Sequence, residues 1–221
     1  MRESTKQFKD GCRIRDSRSE DIWSNFASAL QTVFNHCADS HDDLQWQLQQ
    51  RVNEMYPLIM GTPELKQALA ACPQKHALTA PSWSTALYQD SHCHIGLVAV
   101  YRGQQMPLHD HAGAFSLSIV ITGRARIRYA KQLDLNQASG LTHILVAGMQ
   151  DCAERQVCFQ DKQNNLHSIE AKSARVQVLV VHMPKIDRDR QAFYFPLEDK
   201  QWRPGQRIRA KRIRVRYNVG H

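Results

Sequence analysis

Between residues 95 and 181 the chain is cut into short apolar runs, and that rhythm leaves few folds open to it. Residues 95–101, 115–121, 125–129, 141–147, 156–159 and 176–181 are each of strand length and partly β-branched. Gly103, Gly123, Gly140 and Gly148, with Asp161-Lys162-Gln163-Asn164-Asn165, supply turn chemistry between them. Many short strands at such spacing predict a sandwich or barrel of the jelly-roll kind.

Upstream the apolar period changes to three and four residues. Ser19 and Asp21 can cap a run in which Ile22, Trp23, Phe26, Leu30, Val33 and Phe34 share one helix face. A second run, 44–55, starts after Asp42-Asp43 and is expected to stop before Pro57. A third opens at Thr62-Pro63-Glu64, where proline suits the first turn, and closes at Cys72-Pro73. The expected organisation is therefore a helical region over 1–80 packed on a barrel over 81–199, followed by a basic strand-like tail over 200–221.

Charge separates that tail from the rest. The chain of 221 residues carries 29 Lys and Arg against 21 Asp and Glu, a net charge of +8. Eight of the basic residues, Lys200, Arg203, Arg207, Arg209, Lys211, Arg212, Arg214 and Arg216, follow Asp199, after which no acidic residue occurs. Without them 21 basic residues face 21 acidic ones, so the body is balanced. Within the tail Ile208 and Ala210 share one parity, and Ile213, Val215, Tyr217 and Val219 the other. A β-bulge at Lys211-Arg212 would reconcile the two. The expected role is a strand with its apolar face on the barrel and its basic face in solvent. Contact with phosphates would make the tail a nucleic-acid strand instead; that partner is not expected, but the tail leaves it open.

No run approaches the roughly 18 apolar residues of a membrane span, and the polar start, Met1-Arg2-Glu3-Ser4, shows no secretory signal. No membrane partner is expected. The six cysteines form no C-x-x-C pair, which predicts free thiols in a reducing cytoplasm.

Eleven histidines make a chance H-x-H pair commonplace, and the chain has two, His92-Cys93-His94 and His109-Asp110-His111. Only the second follows Gly103 and Pro107-Leu108; the first is expected to be a polar strand face at the pocket rim, with a soft-metal site that includes Cys93 as the alternative. Residues two apart on a strand share a face, so His109 and His111 can both enter a barrel. A third ligand from a neighbouring strand would complete a facial metal site with positions open for substrate and oxygen.

Gly103, five residues, His109-x-His111 and a closing Gly123 resemble the first motif of the cupin superfamily. That resemblance implies a mainly β fold, the double-stranded β-helix or jelly-roll barrel, here with a helical N-terminal region. The glutamate ligand usual in cupins is absent, since Phe115 and Ser116 stand where it would fall. A cupin that keeps His-x-His and a distant histidine looks like the thiol dioxygenases: cysteine dioxygenase, 3-mercaptopropionate dioxygenase, and the cysteamine and plant cysteine oxidases. Pro107-Leu108-His109-Asp110-His111 is close to their iron-binding strand, and the segment Asn165-Leu166-His167-Ser168-Ile169-Glu170-Ala171 resembles the one supplying their third histidine. The resemblance implies Fe(II) held by His109, His111 and His167, with a small thiol and O2 as the partners. It also implies a catalytic role for His182, fifteen residues after His167, where the cysteine dioxygenases carry a histidine that orients groups at the metal.

Two departures qualify the likeness. Ser116 and Pro184 occupy the positions at which animal cysteine dioxygenases join a cysteine to a tyrosine, so that cross-link cannot form. Near Tyr88-Gln89-Asp90-Ser91, where that family places a carboxylate-binding arginine, there is none. Arg102, Arg126, Arg128 and Arg175 are the substitutes the sequence offers. Rival readings are a cupin using Ni, Mn or Zn in chemistry other than sulfur oxidation, and a metal- or ligand-binding sensor whose tail contacts a partner.

Overall fold

Strands that are apolar on both faces must be covered on both faces, and this decides how the β segments stack. The computed structural model describes residues 17–37, 41–73, 82–160, 165–184, 191–198 and 202–214. Eleven strands follow three helices in the described residues: α1 (Ser17–Cys37), α2 (His41–Gly61), α3 (Pro63–Ala71), β1 (Trp83–Gln89), β2 (His94–Tyr101), β3 (Gln105–Asp110), β4 (Phe115–Thr122), β5 (Ala125–Gln132), β6 (Leu141–Cys152), β7 (Val157–Gln160), β8 (Leu166–Ala171), β9 (Arg175–Met183), β10 (Ala192–Pro196) and β11 (Arg207–Arg214). One sheet has the order β1-β2-β9-β4-β7, and the other six strands close on themselves as β10-β11-β6-β5-β8-β3. The chain is mainly β, with the helices gathered at its N-terminal end, as the apolar periods predict.

Three apolar interiors result. On β2, β4 and β9 one parity (Ile95, Leu97, Leu117, Ile119, Ile121, Leu179, Val181) meets the helices through Trp23, Phe26, Leu30, Leu48, Val52 and Ile59. The other parity (Val98, Val100, Val120, Val176, Val178, Val180) meets Ala125, Ile127 and Ile169 of the second sheet. A third interior, built on Leu108, Ala130, Ile144, Leu166, Tyr194 and Ile208, fills the closed barrel. Burying such side chains contributes about 1.5–3 kcal/mol each, so runs such as 95–101 read as continuously apolar rather than alternating. The edge of the first sheet is covered too. Gln45 and Gln49 of α2 reach β7, with Gln45 Nε2 donating to the Val157 carbonyl at 2.7 Å and Gln49 Oε1 accepting the Val157 N–H at 3.1 Å.

Three sequence expectations change here. Ser19 and Asp21 lie inside α1, which already includes Ser17, and do not cap it. Helix α2 does not stop before Pro57 but runs through it to Gly61. Tyr56 and Ile59, buried on either side of the proline, hold the next turn against the sheet and offset the lost hydrogen bond. In β11 no bulge occurs at Lys211-Arg212. The ladder to β10 runs unbroken from Ala192↔Arg214 to Pro196↔Ala210, β6 pairs the other edge as far as Lys211, and Ile213 faces outward half exposed. Val215, Tyr217 and Val219 lie outside the described residues. The tail is also not peripheral: β10 pairs both β11 and β3, with Phe193 opposite His109. No helix among the described residues is long and apolar enough to cross a membrane.

Gly123 makes the turn from β4 to β5 with φ +81°, and a Cβ there would collide with the Arg175 carbonyl oxygen and the Ser173 hydroxyl. Gly123→Ala is expected to destabilise the chain by at least about 1 kcal/mol, lowering Tm by roughly 2–4 °C. Calorimetry of the variant checks this; an unchanged Tm would show that the turn relaxes freely.

Candidate metal centre

The second sheet faces the first with alternate side chains, and the face that carries Ile127 and Ile169 carries Tyr129 and His167 one step further along. His109 of β3 pairs directly with His167 of β8, after a register irregularity between Met106 and His109. His111, the first residue beyond β3, shares the His109 face by the two-residue period. The three imidazoles therefore converge. The His167 Nε2 lies 3.1 Å from that of His109 and 3.0 Å from that of His111. One ligand atom from each falls within 4.8 Å of the others, and all three residues are buried. Cross-strand pairing thus brings His109, His111 and His167 together.

Hydrogen bonds on the far side of two rings fix which nitrogen faces inward. His109 Nδ1 lies 2.8 Å from the Pro107 carbonyl, to which it can only donate, so its Nε2 carries a lone pair. His167 Nδ1 lies 2.5 Å from the Gln160 side-chain amide, while Gln160 Oε1 is buried without a partner. Turning that amide over lets Oε1 accept the Nδ1–H, satisfying both groups and freeing the His167 Nε2 lone pair. Burial pushes the His109 imidazole below its ordinary value, partly opposed by the Pro107 carbonyl and Asp110. Burial first, and then the neighbouring histidines, holds His111 and His167 well below it.

Ring nitrogens facing one another at 3.0–3.1 Å share either a proton or a cation, and three converging on one point suit a cation. Two imidazole ligands at about 2.1 Å from a metal and at right angles to each other would be about 3 Å apart, so the spacing fits an ion with cis ligands. The all-nitrogen donor set suits Fe, Zn, Ni or Cu rather than Mg or Ca.

Across from the triad, the first sheet ends in a polar row. His94, His182, Ser116 and Gln160 are successive cross-strand partners on β2, β9, β4 and β7. The His182 ring lies 4.5 Å from that of His111, and the His94 ring lies parallel to it at 6.0 Å. The hydroxyls of Ser116 and Ser118 are buried and make no hydrogen bond within the described residues. His182 is thus beside the triad and outside it. Sequence reasoning passed over Gln160, which the period of two along β7 places, while His94 takes the place at the pocket rim expected of it.

The other H-x-H pair does not assemble. His92 is exposed, Cys93 points into the helix-facing interior with its thiol pushed up to about 12 by burial, and only His94 reaches the row. Cys72, Cys93, Cys152 and Cys158 are free and buried. The four arginines are placed elsewhere. Arg126 pairs with Asp151 at 2.7 Å and Arg128 with Glu170 at 2.7 Å. Arg175 bonds the Pro73 carbonyl at 3.1 Å, and Arg102 lies exposed in the turn after β2.

A buried triad of histidines between the two β-sheets could hold a metal ion, as the cupin reading of the sequence expects. Residues 46–212 match the PCO_ADO family model, that of the plant cysteine oxidases and cysteamine dioxygenases. The chain belongs to this family of cupin-type thiol dioxygenases. No individually curated protein matches the sequence. Solved structures similar to it include KdgF from Halomonas sp., at 12% identity over 51% of this chain and 86% of that one, with a TM-score of 0.39. Another is an RmlC-like cupin family protein from Methanocaldococcus jannaschii, at 19% identity over 50% and 87% of the two chains, TM-score 0.35.

Because these histidines are held neutral in the fold, the unfolded chain, titrating near the ordinary 6.5, binds protons first as pH falls. Stability of chelator-treated protein should be level above about pH 6.5 and decline below it, by about 1.4 kcal/mol per pH unit for each proton in excess. Urea unfolding at a series of pH values measures the slope, and His111→Gln should make it shallower. A slope untouched by the substitution would contradict the buried, neutral assignment.

Proposed function

We propose that the chain is a mononuclear non-haem iron dioxygenase that converts a small thiol to its sulfinic acid, with His109, His111 and His167 as the iron ligands. The observation that carries this is the ligand set itself, three neutral imidazoles with no carboxylate in the cluster. Bound there, Fe(II) would supply a cationic centre that lowers the pKa of a thiol and brings it together with dioxygen, both atoms of which go to sulfur. Three uncharged ligands leave the positive charge of the ion undiminished, so an anionic thiolate is the ligand the site favours. Burial of all three histidines keeps bulk water from competing for the same position. His182, beside His111, would hydrogen-bond the substrate or oxygen and fix its orientation. The buried hydroxyls of Ser116 and Ser118 offer further donors on the same wall.

The substrate class follows from what the wall does not present. None of the four arginines suggested by the sequence faces the triad, so no guanidinium among them awaits a carboxylate next to the thiol. A thiol bearing an amine but no free carboxylate, as in cysteamine or at a peptide N-terminus, suits such a wall better than free cysteine or 3-mercaptopropionate. The buried free thiols fit a reducing cytoplasm.

Oxygen uptake by the Fe(II)-loaded protein should be tested with cysteine, cysteamine, 3-mercaptopropionate and N-terminal-cysteine peptides, with the sulfinate detected by mass. Uptake is expected with cysteamine and the N-terminal-cysteine peptides and is expected to be lost in His167→Ala. No uptake with any thiol would overturn the reading.

A further inference from the structure

Alternation along β3 turns one residue away from the site. His109 and His111 share the face that meets His167, so Asp110 between them points the other way, into the closed barrel beside Leu108, Ala130, Leu166 and Ala192. A buried carboxylate is costly there unless its oxygens are bonded. Its partners come from the turn after His111 and from the last two strands. Oδ1 accepts the Ala192 N–H at 3.0 Å and the Ala112 N–H at 3.3 Å. Oδ2 accepts the Tyr194 hydroxyl at 2.8 Å. Arg212 of β11 donates Nε–H to the Tyr194 oxygen at 3.1 Å and brings a terminal guanidinium nitrogen to 3.9 Å from Asp110 Oδ2. Both charged side chains are largely buried.

The bonded groups flank the proposed ligands. Ala112, next to His111, has a left-handed φ of +54°, unusual for a residue with a Cβ, and Asp110 holds its N–H. Ala192 and Tyr194 enclose Phe193, which pairs with His109 and whose ring lies 5.7 Å from the imidazole. One carboxylate thus ties the strand of two proposed ligands, at the position between them, to β10 and β11.

We propose that Tyr194 and Arg212 are positioning residues for the metal site: through Asp110 they hold the His109–His111 segment where its imidazoles meet His167. This rests on the metal reading of the triad. It gives the basic C-terminal strand a task at the site, whereas its charge pattern pointed only to a basic face in solvent. Among the described residues of the tail, Arg212 is the basic one that this task requires.

Co(II) affinity, measured anaerobically by competition with a chromogenic chelator, tests the inference without reference to turnover. Tyr194→Phe removes one oxygen and keeps the ring, and Arg212→Met removes the guanidinium. Each should weaken binding by about tenfold to a hundredfold and alter the Co(II) absorption bands. Arg212→Lys, which keeps the charge, should recover part of the loss. Ile208→Val, in the same barrel interior, should lower Tm while leaving affinity and spectrum unchanged. Affinity within about twofold of the unmodified chain in both Tyr194→Phe and Arg212→Met would overturn the inference. So would an equal loss in Ile208→Val at an equal fall in Tm. An unmodified chain that binds no metal would overturn both readings. One that binds metal but oxidises no thiol would remove the thiol chemistry alone.

Discussion

The pairing of His109 with His167 across β3 and β8 is the contact on which the rest of the site depends. Cross-strand partners project to the same face, so this one register places two imidazoles side by side, and the two-residue period then adds His111. A slip of one residue would send His109 and His111 into the closed barrel and Asp110 into the site. Register is protected from both sides. Tyr129 opposes His167 on the next strand, and Phe193 opposes His109 on the strand beyond.

The remainder of the fold supplies an environment in which those imidazoles stay neutral and point inward. The apolar stack between the two sheets gives way at one end to the row His94, His182, Ser116 and Gln160, so polar groups collect only at the triad. Gln160 and the Pro107 carbonyl occupy the outer nitrogens of two rings and leave the inner ones free to bind. The helices contribute at a distance, by covering the outer face of the first sheet and tying α2 to β7, the strand that carries Gln160.

Much of this was legible in the sequence because it depends on short periods. Apolar runs at 95–101, 115–121 and 176–181 became β2, β4 and β9, and His-x-His on a strand has one geometrical consequence. Two strands were not visible. β1 mixes polar and apolar residues because it packs only one face on an interior, and β10, five residues of Ala-Phe-Tyr-Phe-Pro, is too short to show a period and is held by pairing with β3, far away in the sequence. The passage of α2 through Pro57 depends on burial of Ile59, which no local rule contains. The C-terminal strand was recognised as a strand, but its charge drew attention to its outer face. Its connection to the site runs through Arg212 and Asp110, about a hundred residues apart, and pairing at that separation leaves no mark on either segment.

The account comes down to whether this barrel adds dioxygen to sulfur at a centre held by His109, His111 and His167. Turnover of an amine-bearing thiol under isotopically labelled dioxygen, with the product analysed by mass spectrometry, addresses that directly. The account predicts a sulfinate in which both oxygen atoms carry the label, and none when His111 is replaced by alanine. A product whose oxygen comes from water, or a disulfide with no sulfinate, would contradict it.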